Sequence, residues 1–100
     1  KCIVQTNDYN YSRMTFYFQN LIVWQKAFLL SKKVNECLKR FPRDEQYSLT
    51  DQMRRASLSI VSNIAEGSGR GTDPEHKHFL HIAKGSCMEL ATQVLLAEEF

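Results

Sequence analysis

No stretch of this 100-residue chain holds the roughly twenty uncharged apolar residues that a membrane-spanning helix needs. The N-terminal residues KCIVQTNDYNYSR lack the basic, apolar and small-residue succession of a secretory signal. Cysteine is scarce and odd in number, with Cys2, Cys37 and Cys87 far apart and no CxxC pair. That spacing supports neither a zinc site nor a disulfide framework, so Cys37 and Cys87 are expected to be reduced, small core or boundary residues. Neither sign of charge dominates: 13 Lys and Arg against 11 Asp and Glu leave a net +2. A nearly neutral chain neither demands nor excludes a polyanionic partner, so a basic surface must come from local clustering or from several copies. Low-complexity segments and internal repeats are also missing.

The apolar content of 43% belongs to a globular protein of one domain. A chain of this size buries only roughly 60–65% of its unfolded surface, so association with further copies would add stability. Residues 1–15 have no helical period and read as an unstructured leader or an extension foreign to the natural protein, with Met14 as a candidate natural start. Residues 16–100 read as one helical-bundle domain.

Three helices follow from the apolar spacing. Helix A covers about 21–40, with Val23, Trp24, Ala27, Phe28, Val34 and Leu38 on its inner side, Asn20 as N-cap and Pro42 beyond its end. Helix B covers about 49–66, capped by Ser48. Its apolar stripe is Leu49, Met53, Ala56, Ile60 and Ile64, widened by Ser57 and Val61. Beside that runs a polar stripe of Gln52, Arg55, Ser59, Asn63 and Glu66. Helix C covers about 74–99, with Thr72 and Glu75 spaced as a capping box, Pro74 in the first turn and Phe79, Ala83, Ser86, Leu90, Val94 and Ala97 facing inward. Gly85 in its middle costs roughly 1 kcal/mol against alanine, which predicts close approach of a neighbouring helix. The chain stops at Phe100 inside an apolar run, which predicts a bundle incomplete at that end.

The segment Gly67-Ser-Gly69-Arg-Gly71 superficially resembles a phosphate loop. Such loops follow a strand, carry a lysine and open a helix. Here the glycines follow a helix, the lysine is missing, and Asp73 and Glu75 oppose an anion at the next helix start. Gly67 and Gly69 are therefore expected to be left-handed helix C-caps. Glu66 has no His, Ser or Cys spaced to make it a general base, so Arg55, Asn63 and Glu66 are expected to form a structural network, with Glu89 as partner of Arg55. His78 and His81 share a helix face, but His76 points elsewhere, so no metal site is expected. The scattered basic residues, Lys33, Lys39, Arg40 and Arg54 among them, read chiefly as solvated helix faces; repeated around a symmetric assembly they would offer a phosphate-binding surface.

Three segments together resemble a known family: F-x-x-L-x-V-W-Q-K-A at 18–27, Q-x-R-R-A-x-x-S-I-x-S-N-I-A-E-G-x-G-R at 52–70, and F-L-x-I-A-x-G-S-x-x-E-L at 79–90. They are similar to the four-helix-bundle proteins related to those encoded in intervening sequences of bacterial 23S ribosomal RNA. The resemblance covers about residues 16–100. It implies an all-α, antiparallel up-down four-helix bundle, with three helices in this chain and the fourth truncated or absent. It also implies a bacterial, cytoplasmic homo-oligomer, typically a pentamer. Relatives include accessory proteins of diversity-generating retroelements, whose basic pentamers bind nucleic acid and a reverse transcriptase. Within the matching motifs, Arg55, Asn63, Glu66, Gly67, Arg70, Ser86 and Glu89 carry over as signature positions of a structural or oligomer network. The expected function is a non-catalytic, ring-forming protein without a cofactor that binds nucleic acid, RNA or DNA and chiefly structured RNA or a nucleoprotein, through basic helix faces, with Arg54, Arg40, Lys39 and Lys33 as phosphate contacts; the alternative is a protein–protein adaptor of the same shape.

Overall fold

The computed structural model describes residues 16–41 and 47–99, and the leader expected at 1–15 lies outside them. The described residues form helices and turns with no strand. A short 3-10 turn, Tyr17–Asn20, precedes α1 (Ile22–Leu38), α2 (Tyr47–Ser68) and α3 (Asp73–Glu99).

The start of α1 differs from expectation. Asn20 is the last residue of the 3-10 turn, and Leu21 occupies the extended cap position without a side-chain cap. Two glutamines act instead. The Gln19 side chain accepts from the Phe16 amide, and Gln25 Nε2 donates to the Gln19 carbonyl at 2.7 Å. A ladder of rings reinforces this start: Phe16 stacks on Phe18 at 5.3 Å, Phe18 meets Trp24 at 5.2 Å, and Trp24 stacks on Phe28 at 5.0 Å. Offset and tilted ring pairs of this kind add to the area they bury.

Helix α2 begins at Tyr47, so Ser48 sits inside the first turn rather than capping it. Pro42 and most of the first connection lie outside the described residues. The expected left-handed caps at the other end are not formed, because no described glycine has a positive φ. Gly67 is still helical. The helix closes by tightening: the Gly69 amide donates to Glu66 O at 3.2 Å and the Arg70 amide to Gly67 O at 3.1 Å. Ser68 Oγ covers Ala65 O at 2.7 Å. Bonds between residues three apart satisfy the last carbonyls without a left-handed residue. At α3 the Thr72 hydroxyl accepts from the Glu75 amide at 3.3 Å, as the capping-box spacing implied. Asp73 and Glu75 in the first turn also suit the positive end of the helix dipole.

α2 is the central element. Its apolar stripe is buried almost throughout: Met53, Ala56, Ile60, Val61 and Ile64 are core residues, and Leu49 packs against them. α1 contributes Trp24, Ala27 and Leu38, and α3 contributes Ala83 and Leu90. Both outer helices pack on α2, whereas they touch each other little. The described part is accordingly flat, 42 × 34 × 16 Å. Gly67 meets His76 and Phe79 at one end of the α2–α3 seam, and Ser59 meets Ser86 farther along, so these two helices run antiparallel.

Between α1 and α3, above α2, lies an apolar groove. Two adjoining depressions of about 390 and 470 Å³ share Leu30 and Val94. Met53 and Ile60 form the floor. Val94, expected in the core stripe of helix C, is exposed to this groove, and Val23 on α1 is likewise exposed. Cys37, expected in the core or at its boundary, is exposed at the groove wall, while Cys87 is half-buried.

Candidate nucleic-acid interface and the polar seam

Charge on α1 is one-sided in sign. Lys26, Lys32, Lys33, Lys39 and Arg40 stand on the helix and its C-terminal turn against Glu36 alone. The four expected contact residues do not lie together. Arg54 reaches from α2 to α1, where its Nε donates to Asn35 Oδ1 at 3.3 Å. Asn35 is itself held, since its Nδ2 donates to Ser31 O at 3.1 Å. Both ends of the Asn35 amide are used, so its oxygen is turned toward the arginine.

Lys39 lies four residues after Asn35, on the α2-facing edge of α1. Lys32, three residues before Asn35, shares that edge. It is half-buried there. Lys33 is one residue on, about 100° around the helix, and lines the apolar groove with Val34 and Phe41. Arg40 follows the C-cap residue Lys39, in the turn after α1. Arg54 is thus tied to α1 through Asn35, one helical turn before Lys39, whereas Lys33 lines the groove. The spacing 32, 35, 39 marks one helix edge, on which the sequence singled out Lys39 as a contact but neither Lys32 nor Asn35. What the spacing cannot tell is that this edge faces Arg54.

Neighbouring arginines are neutralised locally. Arg55 Nε pairs with Asp51 at 3.0 Å, and Arg70 Nη2 pairs with Glu66 at 2.8 Å. The expected Arg55–Glu89 bridge is not formed. Arg55, with its side chain 74% exposed, takes the carboxylate one turn back on its own helix. Glu89 is exposed on α3.

Other signature residues do meet. Ser59 Oγ and Ser86 Oγ lie 2.7 Å apart across the α2–α3 seam. Asn63 Nδ2 donates to the Ser59 carbonyl at 2.8 Å and to its hydroxyl at 3.0 Å. Gly67 closes the same seam below: a Cβ placed there would sit 2.8 Å from Phe79 Cβ. The Arg70 guanidinium, tied to Glu66, lies 4.6 Å from the centre of the Phe79 ring. Gly67, Arg70 and Ser86 thus join α2 to α3, Asn63 braces Ser59 from within α2, and Arg55 and Glu89 stay at the surface. A Cβ placed on Gly85 would meet no side chain and no other segment within 4 Å, so the close approach expected there is absent from the described residues.

Among the described residues no three His, Cys, Asp or Glu side chains gather as a metal site. His78 packs edge-on against Phe79 at 5.4 Å. No described helix is long and apolar enough to cross a membrane.

Comparison with known proteins places these features. No curated protein matches the chain. The profile of one family, described as 23S rRNA-intervening sequence protein, matches residues 19–100. That match spans all three helices, the Ser59–Asn63–Ser86 seam and the Gly67 contact, and on it the chain belongs to the 23S rRNA-intervening sequence protein family.

Proposed function

We propose that this chain is a non-catalytic, ring-forming helical-bundle protein that binds nucleic acid, as structured RNA or a nucleoprotein, through its basic helix faces. The observation that carries the reading is the basic α1 with Arg54 held against it by Asn35. Arg54, Lys39, Lys33 and Arg40 are the proposed contacts, made mainly to phosphates, with cations displaced from the nucleic acid as they form. Glu66 is engaged by Arg70 rather than poised beside a nucleophile, in keeping with a binding role.

In this reading the bundle is an up-down four-helix arrangement. The fourth helix lies in the apolar groove, covering Leu30, Met53 and Val94. Copies then assemble as a cytoplasmic homopentamer, with Arg55, Glu66 and Glu89 available at the contacts between protomers. A ring multiplies each basic surface by the number of copies, which compensates for a chain of net charge only +2.

Binding of the purified oligomer to a labelled structured RNA and a matched DNA duplex, at low and moderate salt, tests the reading. Tight binding with a steep salt dependence, lost in Arg54→Glu and Lys39→Glu, is expected. Absence of binding at low salt by an intact oligomer overturns it and favours a protein–protein adaptor. That second reading draws on the exposed apolar side chains Ile22, Met88 and Leu95, which are 68%, 60% and 64% exposed.

A further inference from the structure

We infer that the α1–α2 seam is the principal part of the contact surface, with Lys33 and Arg40 outside it, and that in the seam Lys32 is a further phosphate contact and Asn35 a positioning residue that aims Arg54. This rests on the nucleic-acid reading above and names the residues that perform it. Three observations on the seam converge.

First, the Arg54 guanidinium is oriented by a neutral group. Its Nε is occupied by Asn35 Oδ1, which leaves the Nη1–Nη2 edge, the fork that grips two phosphate oxygens, available. A carboxylate in place of Asn35 would cancel the charge, as Asp51 does for Arg55 and Glu66 for Arg70. Arg54 is therefore held in place with its charge uncompensated by its partner.

Second, Asn35 is itself held on α1. Its amide bridges Ser31 O and Arg54 Nε, which biases the arginine toward the seam before any ligand arrives. Pre-ordering a long side chain reduces the entropy lost on binding.

Third, Lys32 and Lys39 flank Asn35 on the same edge of α1, seven residues and about 10 Å apart along the helix. Arg54 enters between them from α2. The three cations make a stripe at the seam, whose chemistry fits successive phosphates of a nucleic-acid backbone. Glu36, four residues after Lys32 and three before Lys39, borders the stripe, but among the described residues it forms no ion pair with either lysine; Asp51, one turn before Arg54, is paired with Arg55.

The test measures affinity for the DNA duplex and the structured RNA across a salt series, with the full chain and the variants Lys32→Gln, Asn35→Leu, Asn35→Asp, Arg54→Gln and Asn35→Leu/Arg54→Gln. Lys84→Gln on α3 is the control for charge loss away from the seam, and thermal melting verifies that each variant folds. Lys32→Gln and Arg54→Gln are expected to lower the salt slope by about 0.9 on duplex DNA, and Lys84→Gln to leave it unchanged. Asn35→Leu, which removes no charge, is expected to weaken binding about fivefold while retaining the slope. It should have no further effect in the Arg54→Gln background. Asn35→Asp should act like Arg54→Gln, because it pairs the arginine. The nucleic acid on which this pattern appears is the one the seam recognises.

Additive effects of Asn35→Leu and Arg54→Gln, or a Lys32→Gln slope equal to that of Lys84→Gln, overturn the inference while leaving nucleic-acid binding intact. Failure of the unmodified protein to bind either ligand overturns the functional reading and this inference together.

Discussion

Ser59 Oγ and Ser86 Oγ meet at 2.7 Å between α2 and α3, and the Asn63 amide donates to the same Ser59 hydroxyl. Ser86 is buried, so its hydroxyl depends on Ser59 for a partner across the seam. Ser59→Ala is expected to cost about 1–2 kcal/mol, since it strands a buried hydroxyl. Ser59→Ala/Ser86→Ala should cost less than the sum of the single changes, because the second removes the group the first left unpaired. Urea unfolding of the four proteins measures this, and strict additivity refutes the coupling.

Gly67 and Gly85 should respond in opposite directions to alanine. Both are helical, and alanine alone favours a helix interior by up to about 1 kcal/mol. At Gly67 the new Cβ would press on Phe79 Cβ at 2.8 Å, so α2 and α3 must separate, at a cost of about 1–3 kcal/mol. Gly85 faces open space, so Gly85→Ala should raise the melting temperature. Melting curves of the two variants decide the matter, and a stabilised Gly67→Ala protein would contradict the close packing of α2 on α3 at this crossing.

Trp24 is the single tryptophan, 7% exposed between Phe18 and Phe28. Its emission should therefore report unfolding of α1 directly, shifting to the red as urea rises. Trp24→Phe should be tolerated far better than Trp24→Ala, which is expected to cost about 3–5 kcal/mol through lost burial and an unfilled cavity. Circular dichroism can follow both variants after the fluorophore is removed.

Arg55→Ala should change stability by less than about 0.5 kcal/mol. Its pairing with Asp51 is an exposed contact along one helix, screened by solvent. A loss above about 2 kcal/mol in the same unfolding assay would reveal a cross-helix role that this geometry does not provide.

Helix B shows how much was legible in the sequence. Its apolar residues at 49, 53, 56, 60 and 64 repeat at the helical period and also form the floor of the fold, because α2 is covered on two sides. Periodicity predicts burial where the whole stripe is covered by packed neighbours, as on α2. Helix C was harder to read. Val94 continues its apolar stripe, yet faces the open groove, since α1 does not reach across to cover it. The cap at Thr72 followed from local spacing, whereas the cap at Asn20 did not form because the Gln19 and Gln25 side chains order that corner through longer reaches.

The candidate site divides in the same way. Helical spacing by itself determined that Ser59, Asn63 and Glu66 follow one another on one side of α2, and that basic residues accumulate on α1. The ordering of neighbours within a helix is set by its 100° step per residue, a local property of the backbone. Tertiary structure alone decided that Ser59 would find Ser86, that Arg54 would find Asn35, and that Gly67 serves a close crossing rather than a left-handed turn. Each of these depends on the distance and rotation between two helices. Those are fixed by how side chains from separate segments fit together, and no single segment contains that information.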